Sequence, residues 1–562
     1  MQSYKILHIS EDSLKQVKIL SKTLGISLVL AQLLVNRGIN SAEEAVKFLN
    51  PKLSDLHDPF VFSDMQKAVS LIRLTASKKK KILIFGDYDV DGITSLALLH
   101  DALARQGIEA EHLLPHRLKE GYGLAKNILT IAKERKIGLL ITVDCGINSF
   151  SQISALRENG IEVIVTDHHE PQGKDLPQAS AIINPKVQDS GYPFRELAGV
   201  GVAYKVSQAL CAKSSGCDLD LAALGTVADV VPLNGENRVI VKEGLKTMSG
   251  TKRHGLKALI EESGLTGKDI TCKHLGFILG PRLNASGRMD TPDHSLNLLL
   301  SCHHEEAKEL AKTVNAYNRQ RQKVESLIME EAEAIVSREI NFNRHKVIVI
   351  SKKDWHHGVM GIVAAKLADK FCRPTILISE TEGLCRGSAR SIKNFHLFEA
   401  LFACKDLLDN FGGHSHAAGL VLEKDNIKDF RNRINVIAGE KLLLEDLLPS
   451  VDVDMELGLN QVNFKLAEEI ESLEPFGSGN PKPLFVTKNL VLRGQIRSMA
   501  RETLKFWLSD GKQTACVLGF GMSRLKDALE SASKIDIVYT PRKDEWAGES
   551  SLILEAKEII AR

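Results

Sequence analysis

At 562 residues the chain is longer than one hydrophobic core can serve, so three or four domains are expected. Its 43% hydrophobic and 26% charged residues sit near the globular average, which excludes a largely disordered, collagenous or membrane-embedded chain. A formal net charge of +2 excludes a bulk basic field, so any polyanion must be held by local patches or metal ions. The basic runs at 78–81 and at Arg319, Arg321 and Lys323 read, taken alone, as solvated surface.

Residues 1–75 read as a polar, helical N-terminal extension that closes on the turn signals Asn50-Pro51 and Asp58-Pro59. The opening MQSYKILHISEDSLK has no apolar segment behind a basic one, so no secretory signal is expected. The longest apolar runs, such as 27–35, are too short to span a bilayer. Nine cysteines without CxxC spacing point to reduced thiols. A cytoplasmic protein without a membrane partner is expected.

From Lys81 the pattern changes. KILIFGD predicts a buried strand and GITSLALLHDALARQG a helix. EAEHLLP follows, then a helix near 124–136, LLITVDCG, a helix near 149–159, and IEVIVTDHH. Strands alternating with helices predict βαβ units and a parallel sheet over 76–235. Residues 236–340 read as a helical connector ending in a long helix over 290–340, with no proline after Pro292. A second α/β block, with KVIVIS, GVMGIVAAKLADKF and PTILIS, is expected over 341–447. Closely spaced short strands over 448–562 predict a small β-barrel.

Three strand ends carry the chemistry. Asp87-Tyr88-Asp89-Val90-Asp91-Gly92 follows the first strand, Asp144-Cys145-Gly146 the second, and Asp167-His168-His169 the third. Ligands of an open parallel sheet bind outside the carboxyl ends of its strands, where these tips converge. Crowded carboxylates raise each other's pKa and destabilise the fold unless a counter-charge is present. An oxygen-rich set with one or two imidazoles suits Mg²⁺ or Mn²⁺ better than structural zinc. Two such ions roughly 3.5–4 Å apart would clamp a phosphodiester and activate water. Gly92 is expected to let a phosphate approach the following helix N-terminus.

Competing readings are weaker. A lone Asp at a strand end is usually a turn residue or helix cap. The acidic loop lacks the Glu of a calcium-binding EF-hand. Gly199-Val200-Gly201 lacks the third glycine of a dinucleotide fingerprint, and no Walker A stretch occurs. Cys302-His303-His304 lacks partners for zinc and falls on the predicted helix.

DYDVDG, VDCG, TDHH and GTVADVVPL resemble, in order, four motifs of the DHH phosphoesterase superfamily. PRLNASGRMD is similar to a further segment of its RecJ group, as are AQLLVNRGI and FLNPKLSDLHDPF. DWHHGVMGIVAAKL, RGSARS and FGGHSHAAG resemble the companion DHHA1 domain. The resemblance implies a multidomain α/β architecture. A DHH domain with a parallel sheet would occupy 76–235, a helical connector with the SGR motif 236–340, DHHA1 341–447, and an OB-fold-like barrel 448–562. It implies a metal-dependent 5′-to-3′ exonuclease that degrades single-stranded DNA to 5′-mononucleotides in repair and recombination, using two Mg²⁺ or Mn²⁺ ions. A single-strand-binding protein and a RecQ-type helicase are the implied partners.

Carried over by position, Asp89, Asp91, Asp144, His168 and Asp229 would be metal ligands. His169 would sit beside them, and Asp87 would be a supporting carboxylate. Some members carry a metal-ligating His two residues before the Asp87 position. Phe85 stands there in this chain, so one metal would be held less fully by protein. Arg288 would neutralise the scissile phosphate, with Arg117, Arg282 and Asn284 as further strand contacts. Arg386, Ser388 and Arg390 in one Gly-flanked loop, and Gly412-Gly413-His414 in another, would hold the 5′ end. His356 and His357, after Trp355, could cap or pack as readily as bind DNA. On the barrel, Phe506 and Trp507 alternate faces, so at most one is exposed for stacking; Trp507 is the candidate, near Arg493, Arg497, Arg501 and Lys505. Two rival functions are another DHH phosphodiesterase, of the nanoRNase or cyclic-dinucleotide type, and a non-catalytic, Cdc45-like DNA-binding scaffold. Chains of the first kind generally lack the barrel; those of the second lose metal-motif residues.

Overall fold

The computed structural model describes residues 4–7, 10–117, 123–173, 175–211, 216–381, 383–546 and 549–562. They form two compact units: one of 58–229 and 244–449, the other of 1–57, 230–243 and 450–562.

The first unit opens on a parallel sheet of five strands: β1 (Lys81–Gly86), β2 (Ala110–Leu113), β3 (Ile137–Val143), β4 (Glu162–Thr166) and β5 (Ala181–Ile183). Their order is β2-β1-β3-β4-β5, and every pair is parallel. Continuous apolar runs such as ILIF suit strands covered on both faces. Leu83, Phe85, Leu140, Val163 and Val165 build the core on one face. Among the covering helices are α1 (Val90–Arg105), α2 (Ile128–Glu134), α3 (Phe150–Glu158), α4 (Gly199–Leu210) and α5 (Leu219–Ala228). The chain reverses strand order between β1 and β3, which places a ligand crevice at their carboxyl ends. Those ends carry Asp87 and Asp144.

The predicted long helix is broken. One helix covers Asp293–Leu300, and a second, which we label α7, covers His304–Glu339. Its 36 residues span about 54 Å. Cys302 and His303 lie in the break rather than on a helix, and His303 is the residue before the first turn. Ahead of the break, a π-helical turn over Leu275–Leu279 runs into α6 (Gly280–Met289).

The second α/β block has a five-stranded mixed sheet of β6 (Ile348–Lys353), β7 (Thr375–Glu380), β8 (Leu384–Arg390), β9 (Asn410–Gly413) and β10 (Ala417–Glu423). Its order is β9-β10-β8-β7-β6, with only β6 and β7 parallel. Helix α8 (His357–Phe371) connects the two parallel strands.

The other unit is a barrel with helices. Its strands are β11 (Met455–Glu456), β12 (Phe485–Met499), β13 (Thr503–Ser509), β14 (Thr514–Gly519), β15 (Ile535–Trp546) and β16 (Glu549–Ala561). The order β11-β12-β13-β14-β16-β15 closes through a β12–β15 pairing. The segment 4–57 is no free extension. Tyr4–Ile6 pairs in parallel with Val451–Val453, and Leu20, Leu30, Leu33 and Leu34 share one core with Phe485, Phe506 and Tyr539. Residues 58–77 belong instead with the parallel-sheet unit.

Candidate active site

Asp89 does two things at once. Its backbone is the N-cap of α1 and its Oδ1 accepts the Gly92 N–H at 3.1 Å, as the bland cap reading expects. Its carboxylate also lies with Asp87 and Asp144 in a group whose ligand atoms fall within 4.8 Å of one another. Asp91, in the first turn of α1, accepts the N–H groups of Gly199 (2.7 Å) and Val200 (2.8 Å) at the start of α4. A carboxylate there answers both the unpaired donors and the positive end of the helix. Asp229 follows the last turn of α5 and groups with Asp91 and His168; Asp144, His168 and His169 form a third group. Asp144 takes a left-handed backbone conformation (φ 60°), unusual for a residue other than glycine and a mark of a functional position.

The charges conflict without a cation. Burial, then the neighbouring carboxylates, pushes Asp87, Asp144 and Asp229 well above the usual carboxylate range, and Asp91 up to about 7. Burial, then His169, pushes His168 down to about 3, so its imidazole is neutral. His168 Nε2 faces Asp144 Oδ1 at 3.2 Å, Asp229 Oδ2 at 3.6 Å and Asp91 Oδ2 at 3.8 Å. Nε2, Asp87 Oδ1 and Asp144 Oδ1 are buried without hydrogen-bond partners. Unpaired lone pairs aimed at one another are the donor set a hard divalent cation satisfies, so these residues fit Mg²⁺ or Mn²⁺.

Asp167 is spent differently. Its Oδ1 accepts from the N–H of His168 (2.7 Å) and of His169 (3.1 Å), and its Oδ2 from the Ile147 N–H (2.9 Å). It also accepts from His169 Nδ1 at 2.7 Å. Burial works to lower the His169 pKa, but that bond and the charge of Asp167 outweigh it, and the pKa rises. The same bond fixes the orientation of the His169 ring.

Opposite the carboxylates stand three guanidiniums. Arg288, at the end of α6, donates from Nη1 to the Gly358 carbonyl in the first turn of α8 (2.9 Å). Burial and the nearby Arg117, Arg390 and Arg321 push its pKa down to about 9. Arg117 lies 4.7 Å from the ring centre of Tyr88, between Asp87 and Asp89 in the acidic loop. Arg390 is also lowered, by burial and then by Arg117. Like charges gathered at a buried place favour an anion between them.

Several expectations need correction. Arg386, Ser388 and Arg390 are not in a loop but on β8, at alternate positions that share one face. Ser388 and Arg390 lie against Gly361 of α8. Gly412 and Gly413 end strand β9, with Gly413 at φ 140°; His414 is exposed at the hairpin, its N–H bonded to the Ala417 carbonyl at 2.8 Å. At Gly92 a Cβ would lie 2.3 Å from the Asp87 carbonyl oxygen, so the glycine lets the acidic loop fold onto α1. Asp87, expected as a supporting carboxylate, has its oxygens within 4.8 Å of those of Asp89 and Asp144, close enough to share an ion with them. Phe85 is fully buried in the sheet core, pointing away from any ligand role. Arg282 is committed in part to Asn315 Oδ1 (3.1 Å) and the Ile278 carbonyl (2.7 Å). Asn284 Oδ1 is buried and unpartnered. Arg321, expected on a solvated surface, is buried and donates to Asn318 and Glu325. On the barrel, Phe506 is in the core and Trp507 half-buried on the outer face, with Lys505 6.0 Å from its ring centre and Arg493 opposite it on β12.

Sequence reasoning misses Gly199. A Cβ there would lie 2.5 Å from Asp144 Oδ1, so glycine alone lets α4 approach both Asp91 and Asp144. The Gly-Val-Gly run is the available signal, and it points to the wrong ligand when read as a dinucleotide fingerprint. Trp355 and His356 are structural: the Trp355 indole N–H donates to Glu331 (2.8 Å), and the His356 side chain caps α8.

A parallel sheet with an acidic switch point, joined to a mixed α/β domain bearing arginines, defines a metal-dependent phosphoesterase of the DHH and DHHA1 type. Family comparison agrees: the DHH family N-terminal domain matches residues 81–226, the DHHA1 domain 344–440 and the RecJ OB domain 453–558. The single-stranded-DNA-specific exonuclease RecJ of Bacillus subtilis is 41% identical over 535 residues, covering 94% of this chain and 68% of the relative. That of Haemophilus influenzae is 35% identical, covering 90% and 92%. The crystal structure of RecJ from Thermus thermophilus in complex with Mn²⁺ superposes with a TM-score of 0.84 at 28% identity, covering all of this chain and 79% of that one. The chain belongs to the RecJ family.

Proposed function

We propose that this protein is a metal-dependent exonuclease that degrades single-stranded DNA from the 5′ end, releasing 5′-mononucleotides during repair and recombination. The reading rests on one observation above all: five carboxylates and two imidazoles converge with orphaned buried atoms, and the guanidiniums of Arg288, Arg117 and Arg390 gather nearby. The RecJ relatives supply the substrate class.

Asp87, Asp89, Asp91, Asp144, His168 and Asp229 would hold the cations. Bound divalent ions would offset the carboxylate charge, polarise the scissile phosphodiester and ease deprotonation of water. Arg288, anchored by Gly358, presents the rest of its guanidinium to a non-bridging phosphate oxygen and to the charge that grows there. His169, oriented by Asp167, turns Nε2 toward the same phosphate. Water adds to phosphorus, the bond to the 3′ oxygen breaks, and that oxygen is protonated as it leaves. Arg386, Ser388 and Arg390 on β8, with His414 at the hairpin, would hold the terminal 5′ phosphate. Arg117, Arg282 and Asn284 would touch the strand beyond it. Trp507 with Lys505 and Arg493 offers the barrel's outer face as a stacking surface. A single-strand-binding protein and a RecQ-type helicase complete the proposed setting. The proposed place of action is the cytoplasm; no helix among the described residues is long and apolar enough to cross a membrane.

The test uses single strands labelled at either end, with Mn²⁺, and compares the wild type with Asp144→Asn. Early release of the 5′ label as mononucleotide, absent in the variant, is expected. Early release of the 3′ label would reverse the polarity. Cleavage of dinucleotides alone would transfer the protein to another phosphodiesterase class, and strand binding without cleavage would make it a scaffold.

A further inference from the structure

Phe277 is 78% exposed, an unusual place for a large aromatic side chain. It sits in the π-helical turn Leu275–Leu279, a rare local geometry that recurs at functional sites. That turn lies against the last turn of α5. A Cβ on Gly276 would be 3.6 Å from Val227, and one on Gly280 would be 3.6 Å from Ala228, the residue before Asp229. The turn continues directly into α6. Phe277, Pro281, Asn284 and Arg288 recur at helical spacing and so fall along one stripe. The stripe begins with an exposed ring, passes an unpartnered buried Asn284 Oδ1, and ends at the guanidinium that faces Asp89 and α8.

We infer that Phe277 is a stacking platform for a nucleobase of the single strand, on the side away from the 5′-phosphate arginines. This rests on the nuclease reading above. Arg288 marks the scissile phosphate, and Arg390 lies close to it. Phe277 is about three turns, roughly 16 Å, back along the helix from Arg288. A base there belongs to the strand downstream of the cut, out of reach of a dinucleotide. An aromatic face accepts any base, so the contact adds affinity for length and not for sequence.

The full-length protein and the variants Phe277→Ala, Phe277→Leu and Phe277→Trp are compared on a long oligothymidylate and on a 5′-phosphorylated thymidine dinucleotide. Affinity for the long strand is read separately by fluorescence anisotropy in EDTA. The Ala variant is expected to melt like wild type, to raise KM and Kd for the long strand about tenfold, and to leave the dinucleotide kinetics unchanged. Trp restores affinity; Leu, apolar but not aromatic, does not. The inference is overturned if the Ala variant binds the long strand as tightly as wild type, if both substrates suffer equally, or if Leu serves as well as Trp. Wild-type cleavage of the long strand reports on the nuclease reading alone, whereas anisotropy reports on stacking whether or not cleavage occurs.

Discussion

Replacing Asp144 by Asn should invert how the protein responds to metal. Ligand atoms of Asp144 lie within 4.8 Å of those of Asp87 and Asp89. Two like charges at that separation repel by roughly 3 kcal/mol at an effective dielectric of 20. Asn removes that repulsion and keeps the side-chain shape. In EDTA at alkaline pH the variant should therefore be more stable than wild type by about 3 kcal/mol, a shift of several degrees in Tm. With Mn²⁺ the order reverses, because wild type gains the binding energy of the ion and the variant has lost a ligand. The pH dependence has a definite sign. Asp91 has a folded pKa of about 7 against an ordinary value of 3.8, so the fold holds a proton that the unfolded chain has released. Between those values metal-free stability falls as pH rises, and above about 7 the full penalty, roughly 4 kcal/mol, is in place. Mn²⁺ should flatten that fall. Scanning calorimetry at acidic and alkaline pH, with and without Mn²⁺, reads all of this. A variant less stable than wild type in EDTA, gaining as much from Mn²⁺, would refute the electrostatic reasoning.

Gly199→Ala should place its Cβ 2.5 Å from Asp144 Oδ1, displacing the carboxylate; Mn²⁺ affinity should fall about 10–100-fold with the fold kept, as a metal titration beside circular dichroism would register. Arg288→Lys keeps a charge but loses the fork, so kcat should drop about 100-fold or more with a smaller change in KM. Trp507→Ala should raise KM on long strands about tenfold without altering kcat, since the ring is half-buried on the outer face while Phe506, on the opposite face, fills the core.

The parallel sheet and its acidic rim are legible because two signals coincide: an apolar run such as ILIF defines each strand, and the acids begin where it stops. The long helix is legible from its composition, though its break at Ser301–His303 is not. Strand β8 reads as a loop because Gly387 and Ser388 have low strand propensity; its neighbours β7 and β10 hold it in place by pairing on both sides. Gly199 is invisible for a different reason. Its role depends on Asp91 and Asp144, more than fifty residues away in sequence, and no local pattern encodes that approach. The pairing of Tyr4–Ile6 with Val451–Val453 is likewise non-local, two three-residue strands from distant parts of the chain. Asp87 and Asp89 differ in nothing that sequence reveals; only the fold of the turn brings both to Asp144.

Anomalous diffraction from a crystal soaked in Mn²⁺ puts the most direct question to the acidic cluster. Peaks should lie among Asp87, Asp89 and Asp144 and among Asp91, His168 and Asp229, with His168 Nε2 turned to the metal. No peak there, with the same side chains swung apart toward solvent, would mean that something other than a divalent ion reconciles their charges.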